Sequence, residues 1–292
     1  MKRLALFSIL LLTALTAGAG ISDYLLQTGM KAALYTSAIC EFGWEFDGSA
    51  SFYGALLEEG ESVSSSRWFE RGTKYNIWAY GDDDAIDLDI RVVDEDGKVV
   101  AKDLESDAAP NCDFRPKSSG SYTVTITNHS SYNDVFVFWG VMNDASSPYI
   151  SSGEKCVDAL DKMVEFFSVL DDNDGEYRFF PNQTFLIGGI MEEDESQCFF
   201  NYRAPIDTYC YFIGFGSDEV KDFDIKLTEQ WDVDLVDPDY EADDYQMIGE
   251  DSDYGAVATM NCYLEASEYY ALKYMVYSSQ GSGFVFTLIL AE

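Results

Sequence analysis

Residues 81–97 read GDDDAIDLDIRVVDEDG, and their reading decides the fold. Ile86, Leu88, Ile90 and Val92 alternate with Asp87, Asp89 and Arg91. A period of two belongs to a β-strand with one apolar face and one wet face. The strand runs into Asp94-Glu95-Asp96-Gly97, a turn signal, and resumes as KVVA (98–101). Similar alternation at Phe136, Phe138 and Gly140, with turn residues between short runs, predicts antiparallel β-structure rather than a parallel sheet. The same stretch poses a second question. Five acids fall in its first nine positions, which makes it either a strand with acidic ends or a cation site.

The stretch has a partner further along the chain. GDDDAIDLDI (81–90) matches GSDEVKDFDI (216–225) at an offset of 135, and FYGALLEEGES (52–62) matches LIGGIMEEDES (186–196) at 134. Asn111-Cys112 then meets Asn261-Cys262, each followed by a further strand. Three matches in one order indicate two copies of one unit, which is too few for a solenoid. NDASSPYISS (143–152) has the composition of a linker. A helix opens each copy. Ile21, Leu25, Thr28, Ala32, Tyr35 and Ile39 recur at helical spacing in the first, and Cys156, Leu160, Met163, Phe167 and Leu170 in the second. The expectation is therefore a mainly β protein of two tandem jelly-roll-like antiparallel β-sandwich repeats, each preceded by an α-helix. They cover residues 20–145 and 150–292.

Residues 1–19 are read separately. Lys2 and Arg3, an apolar run from Leu4 to Leu15, and Ala17-Gly18-Ala19 form the three parts of a secretory signal peptide. The run is short for a bilayer span, so the mature chain is expected in a bacterial periplasm or outside the cell, and not embedded in a membrane. Eighteen basic and 53 acidic residues give a net charge of −35, which becomes −37 once Lys2 and Arg3 are removed. Such a surface disfavours nucleic acid and anionic lipid. Hydrophobic content of 47%, with 15% aromatics, is enough for a core and excludes general disorder.

Parts of the first copy together resemble the bacterial pre-peptidase C-terminal domain. They are FERG (69–72), the strand TKYNIWAYG (73–81), the acidic strand with its DEDG turn, FRP (114–116) and SGSYTV (119–124). The resemblance covers residues 62–141 and extends more loosely over 196–290, where Gly216, Asp222, Phe223 and Asp224 persist. The second copy departs at the turn, with Gln230-Trp231-Asp232-Val233-Asp234, and at Ser267-Glu268-Tyr269-Tyr270. The resemblance implies a secreted jelly-roll-like sandwich of the kind appended to hydrolases. Some members bind substrate polymers, some bind calcium, and none of this implies catalysis.

Calcium takes six to eight oxygen ligands. Asp82, Asp83 and Asp84 fall in a turn, and Asp87 and Asp89 lie on one strand face with Cα atoms roughly 6.6–6.8 Å apart. Asp218, Glu219, Asp222 and Asp224 repeat the pattern, and these nine acids are the candidate metal ligands. Arg91 and Lys226 lie close enough to pair with them instead. DDNDGE (171–176) fails as an EF-hand, because Leu170 and Pro181 fall at ligand positions one and twelve. No C-x-x-C pair is present, and Cys198 with Cys210 is the one disulfide suggested by proximity in sequence. The single histidine, His129, lies at a strand end without a nucleophile context. Trp78 and Trp139 read as core, and Trp68 and Trp231 as exposed rings.

The expected function is that of an exported, non-catalytic, adhesion-like module stabilised by calcium. Its partner would be an extracellular polysaccharide, a protein polymer or a cell-envelope component. The competing expectation is a secreted hydrolase with a carboxylate active site, since 53 acids make some facing pair inevitable.

Overall fold

The computed structural model describes residues 21–46, 48–144, 151–171, 178–230 and 246–292. The expected signal peptide, most of the linker, the acidic turn after Asp171, and Trp231 lie outside them.

Among the described residues the protein is mainly β, with antiparallel sheets and two helices. Helix α1 (Ile21–Glu41) leads into β1 (Trp44–Phe46), β2 (Phe52–Leu57), β3 (Ser62–Phe69), β4 (Tyr75–Gly81) and β5 (Ala85–Val93). Next come β6 (Val99–Asp103), β7 (Asn111–Phe114), β8 (Gly120–Ser131) and β9 (Val135–Asp144). Helix α2 (Ser151–Asp171) opens the second half. Its strands are β10 (Gln183–Met191), β11 (Glu195–Tyr202), β12 (Thr208–Gly216), β13 (Val220–Glu229), β14 (Met247–Asp251), β15 (Val257–Leu264), β16 (Tyr270–Ser279) and β17 (Gly283–Ala291).

The halves repeat strand for strand. The first contributes β2-β9-β4-β7 to one sheet and β3-β8-β5-β6 to another; the second contributes β10-β17-β12-β15 and β11-β16-β13-β14. The halves are also joined. β2 pairs antiparallel with β10, Phe52 opposite Gly188, so the larger sheets fuse into one nine-stranded sheet with β1 alongside β9. The two four-stranded sheets remain separate, and β3 and β11 form their edges at the seam.

The middle of the large sheet is buried on both faces, while the edge strand β15 keeps one face in solvent. Adjacent residues Phe52 and Tyr53 point to opposite sides and are both fully buried. Tyr53 joins the core under the four-stranded sheets, with Trp139, Leu88, Ile90, Phe223 and Tyr274. Phe52 joins the core under the helices, with Trp78, Phe138, Phe185, Phe284 and Phe286. Ala32 and Ile39 of α1 and Cys156, Leu160 and Met163 of α2 complete that second core, as their spacing predicts. Sheet burial on both sides explains why VFVFWGVM (135–142) is apolar throughout: all eight residues are buried, rather than only one face of the strand.

One part of the opening stretch also departs from simple alternation. Leu88, Ile90 and Val92 are fully buried, but Ile86 is 40% exposed. The register of β5 against β8 shifts on both sides of Asp87, and this bulge turns Ile86 outward.

Candidate functional site

The acidic turns are built first, because the repeat centres on them. Gly81 and Gly216 precede them for the same reason. A Cβ on Gly81 would lie 2.5 Å from that of Ala85, and one on Gly216 would lie 2.5 Å from that of Val220. The next residue clamps the turn to the last strand of its half. Asp82 is buried. Its N–H donates to the Phe136 carbonyl (3.0 Å), while its carboxylate accepts from the N–H groups of Phe136 (2.8 Å) and Asp84 (3.0 Å). In the second half Ser217 does this work. Its N–H donates to the Phe284 carbonyl (2.8 Å), and its Oγ accepts from the Phe284 N–H (3.1 Å). Burial raises the Asp82 carboxyl pKa, and the two N–H donors oppose that rise.

The following acid receives a helix lysine in each half. Asp83 pairs with Lys31 of α1, and Asp218 with Lys162 of α2 (3.2 Å). Asp218 is tied further to α2, its N–H donating to the Asp158 carboxylate (2.6 Å). Asp84 accepts from Asn133 (3.1 Å), and Glu219 from the Ser217 hydroxyl (2.7 Å). The turns are thus joints between helix layer and sheet.

The strand acids behave differently. Asp87 accepts from Ser106 (3.2 Å) through one oxygen, while its Oδ1 is buried without a hydrogen-bond partner. Asp89 has its pKa raised by burial and then by Asp87. Asp222 accepts from the Gly255 N–H (3.1 Å). Asp224 is only 5% exposed, and burial, then Asp222 and Asp251, push its carboxyl up to about 6. Among the described residues no three His, Cys, Asp or Glu side chains gather in an arrangement that could hold a metal ion. A second raised carboxyl lies on α2, where burial and then Asp158 and Glu165 bring Asp161 to about 6. His129 is exposed at the end of β8.

Among the described residues, two clefts stand out as open to a ligand. One, of about 340 Å³, lies between α1 and the first acidic turn; its polar groups are those already engaged, Lys31, Asp82, Asp83 and Asp107. The other, of about 110 Å³, lies on the seam, between the edge strands β3 and β11 and above Tyr53. Serines 49, 66 and 196, Arg67, Trp68 and Cys198 line it, and among the described residues no acid does. Its floor is rigid. Tyr53 stacks on Trp139 with centroids 5.2 Å apart and planes at 15°. Gln197 donates to the Ile190 carbonyl (2.9 Å) and accepts from the Tyr274 hydroxyl (2.9 Å). Arg67 is buried, donates to the Ala50 carbonyl (3.1 Å) and lies 4.9 Å over the Phe69 ring. Trp68 is 36% exposed, with its Nε1 donating to Glu70 (2.8 Å). Trp78 and Trp139 are fully buried.

Sequence reasoning missed this seam. The signal was Arg67, a charge in an inward slot of the alternation Val63, Ser65, Arg67, Phe69. It also mispaired the cysteines. Cys198 lies opposite Lys273 on the outer side of its four-stranded sheet, whereas Cys210 lies in the large sheet opposite Cys262.

No protein-family profile matches the chain, and no curated protein matches its sequence. Solved structures give distant likenesses among β-sandwich domains. The pre-peptidase C-terminal domain of collagenase from Bacillus anthracis aligns over 33% of this chain and 92% of its own, at 13% identity and a TM-score of 0.28. The tandem CBM22 domain of Xyn10C from Paenibacillus barcinonensis aligns over 86% of this chain and 94% of its own, at 10% identity and a TM-score of 0.24. The C-terminal CBM6 of LamC from Zobellia galactanivorans aligns over 35% and 78%, at 11% identity and a TM-score of 0.23. Among the described residues no helix is long and apolar enough to cross a membrane.

Proposed function

We propose that the protein is a non-catalytic binding module, exported by a bacterium to the periplasm or beyond, and that it takes a neutral extracellular polysaccharide at the seam. Each half is a jelly-roll of the pre-peptidase C-terminal kind, and the ligand site belongs to their junction. One observation carries this reading: among the described residues no acid lines the seam cleft, in a chain where 53 of 292 residues are acids. An uncharged chain can cover such a mouth without stripping water from carboxylates. Trp68 supplies an apolar ring face, and Ser196 at the mouth supplies a hydroxyl that both donates and accepts, the combination a sugar requires. The floor side chains are already held, Arg67 and Gln197 by backbone carbonyls and Tyr53 by stacking on Trp139, so little ordering is needed on binding.

The test is retention on a panel of insoluble neutral polysaccharides, followed by titration with soluble oligosaccharides and tryptophan fluorescence. Trp68→Ala should weaken binding about tenfold or more, and Ser196→Glu should do the same by placing a charge at the mouth. Retention on no member of the panel, or full binding by both variants, would remove the seam from consideration.

A further inference from the structure

The structure carries its six cysteines as thiols, yet the fold brings four of them together in two pairs far apart in sequence. Cys210 on β12 and Cys262 on β15 are direct cross-strand partners, and both are buried in the same core. Opposed residues on antiparallel strands have Cα atoms about 4.5–5.5 Å apart and side chains on one face. That separation falls inside the range of about 4.4–6.8 Å that a disulfide requires. The second pair lies where the helices meet. Gly153 of α2 makes the close approach possible: a Cβ there would lie 3.1 Å from the Cys40 Sγ and 3.2 Å from the Ser37 Cα. Cys156 is one turn further along the same face of α2, buried in one core with Cys40. The Cys40 thiol adds to burial in raising the pKa of Cys156.

We propose that these are two disulfide sites: Cys210–Cys262, which ties β15 to β12, and Cys40–Cys156, which staples the first half's helix to that of the second. The oxidant is a small-molecule disulfide such as oxidised glutathione. One cysteine thiolate attacks it, forming a mixed disulfide and releasing one glutathione thiol. The partner thiolate then displaces the second glutathione. Two protein S–H bonds and one S–S bond are exchanged for one protein S–S bond and two glutathione S–H bonds, and two electrons pass to the oxidant. Burial pushes Cys210 and Cys262 up to about 12, so they hold little thiolate at neutral pH once packed. Their bridge therefore forms during folding rather than after it. The other two cysteines lack such partners. Cys112 lies opposite Ile77, and Cys198 opposite Lys273.

The experiment refolds the full chain in excess oxidised glutathione, traps thiols with iodoacetamide and maps peptides without reduction. Cross-linked peptides for Cys210–Cys262 and Cys40–Cys156 are expected, with Cys112 and Cys198 alkylated. The oxidised protein should melt about 5 °C or more above the reduced one. Cys262→Ser, with folding checked by far-UV circular dichroism, should abolish the first cross-link and leave the second. Six alkylated cysteines in refolded protein, or cross-links between other partners, would overturn both assignments. Alkylation of one pair while the other is linked would overturn that pair.

Discussion

The outer faces of the two four-stranded sheets carry different chemistry. On the first, Ser62, Ser64 and Ser66 of β3 hydrogen-bond hydroxyl to hydroxyl with Thr127, Thr125 and Thr123 of β8, at 2.8, 2.8 and 2.9 Å. Arg91 and Lys102 continue the face on β5 and β6, exposed to solvent. On the second, the same positions hold Ser196, Cys198 and Phe200 opposite a strand carrying Ala271, Lys273 and Met275. Phe200, Ala271, Lys273, Asp224 and Thr228 are all buried there. The connection after β5 spans residues 94–98, whereas that after β13 spans 230–246. Beneath both faces the turn glycines and the turn clamps keep their places. Turn chemistry preserves a duplicated fold, while the outward positions are left to take on separate work.

The comparison can be broken at its conserved points first. Asp82→Ala leaves two backbone N–H groups without their acceptor in a buried setting, and should cost about 2–3 kcal/mol in urea unfolding. Ser217→Ala removes one such acceptor and should cost about half as much. Equal and negligible losses would show that the clamps do not fix each turn to the last strand of its half.

The next largest effect lies on the divergent face. The Asp224 carboxyl is raised to about 6 in the folded protein, above its ordinary value near 3.9, so the native state holds the extra proton between those limits. Stability contributed by this group is greatest below pH ~4 and falls as pH rises through 6. Asp224→Asn should therefore stabilise by about 1–2 kcal/mol at pH 7.5, with the gain fading as pH drops from 6 to 4. A gain that does not depend on pH would contradict this account of its burial. On the first half's outer face, Thr125→Ala removes a solvent-side rung and should cost no more than ~0.5 kcal/mol in the same assay.

The smallest expected effect concerns the ion pairs and cations. Lys31→Ala and Lys162→Ala break equivalent, partly exposed pairs and should each cost at most ~1 kcal/mol. With the turn acids engaged by N–H groups and lysines, millimolar calcium against chelator should move the melting temperature by less than ~1 °C. A calcium-linked rise of several degrees would instead support the calcium site expected at those acids.

Much of this was legible in the sequence. The alternation at Leu88, Ile90 and Val92, the helix stripe through Cys156, Leu160 and Met163, and the burial of Trp78 and Trp139 all follow from periodicity. The pairing of Asp83 and Asp218 with helix lysines did not. It joins elements more than fifty residues apart, and periodicity carries no distance. The fusion of the halves at β2 and β10 was hidden for a related reason. An apolar run such as VFVFWGVM reports burial on two faces without saying what covers them. The bulge at Asp87 was invisible because its residues fit the alternation that it interrupts.

The most direct test compares scanning calorimetry of the whole chain with that of a fragment covering residues 21–144. The fragment loses the partner of β2, and Phe52 and Phe138 lose Phe185, Phe284 and Phe286. The account predicts one cooperative transition for the whole chain and no folded monomer from the fragment. Two separate transitions, with the fragment reproducing one of them, would show two independent domains and dissolve the seam on which the functional reading stands.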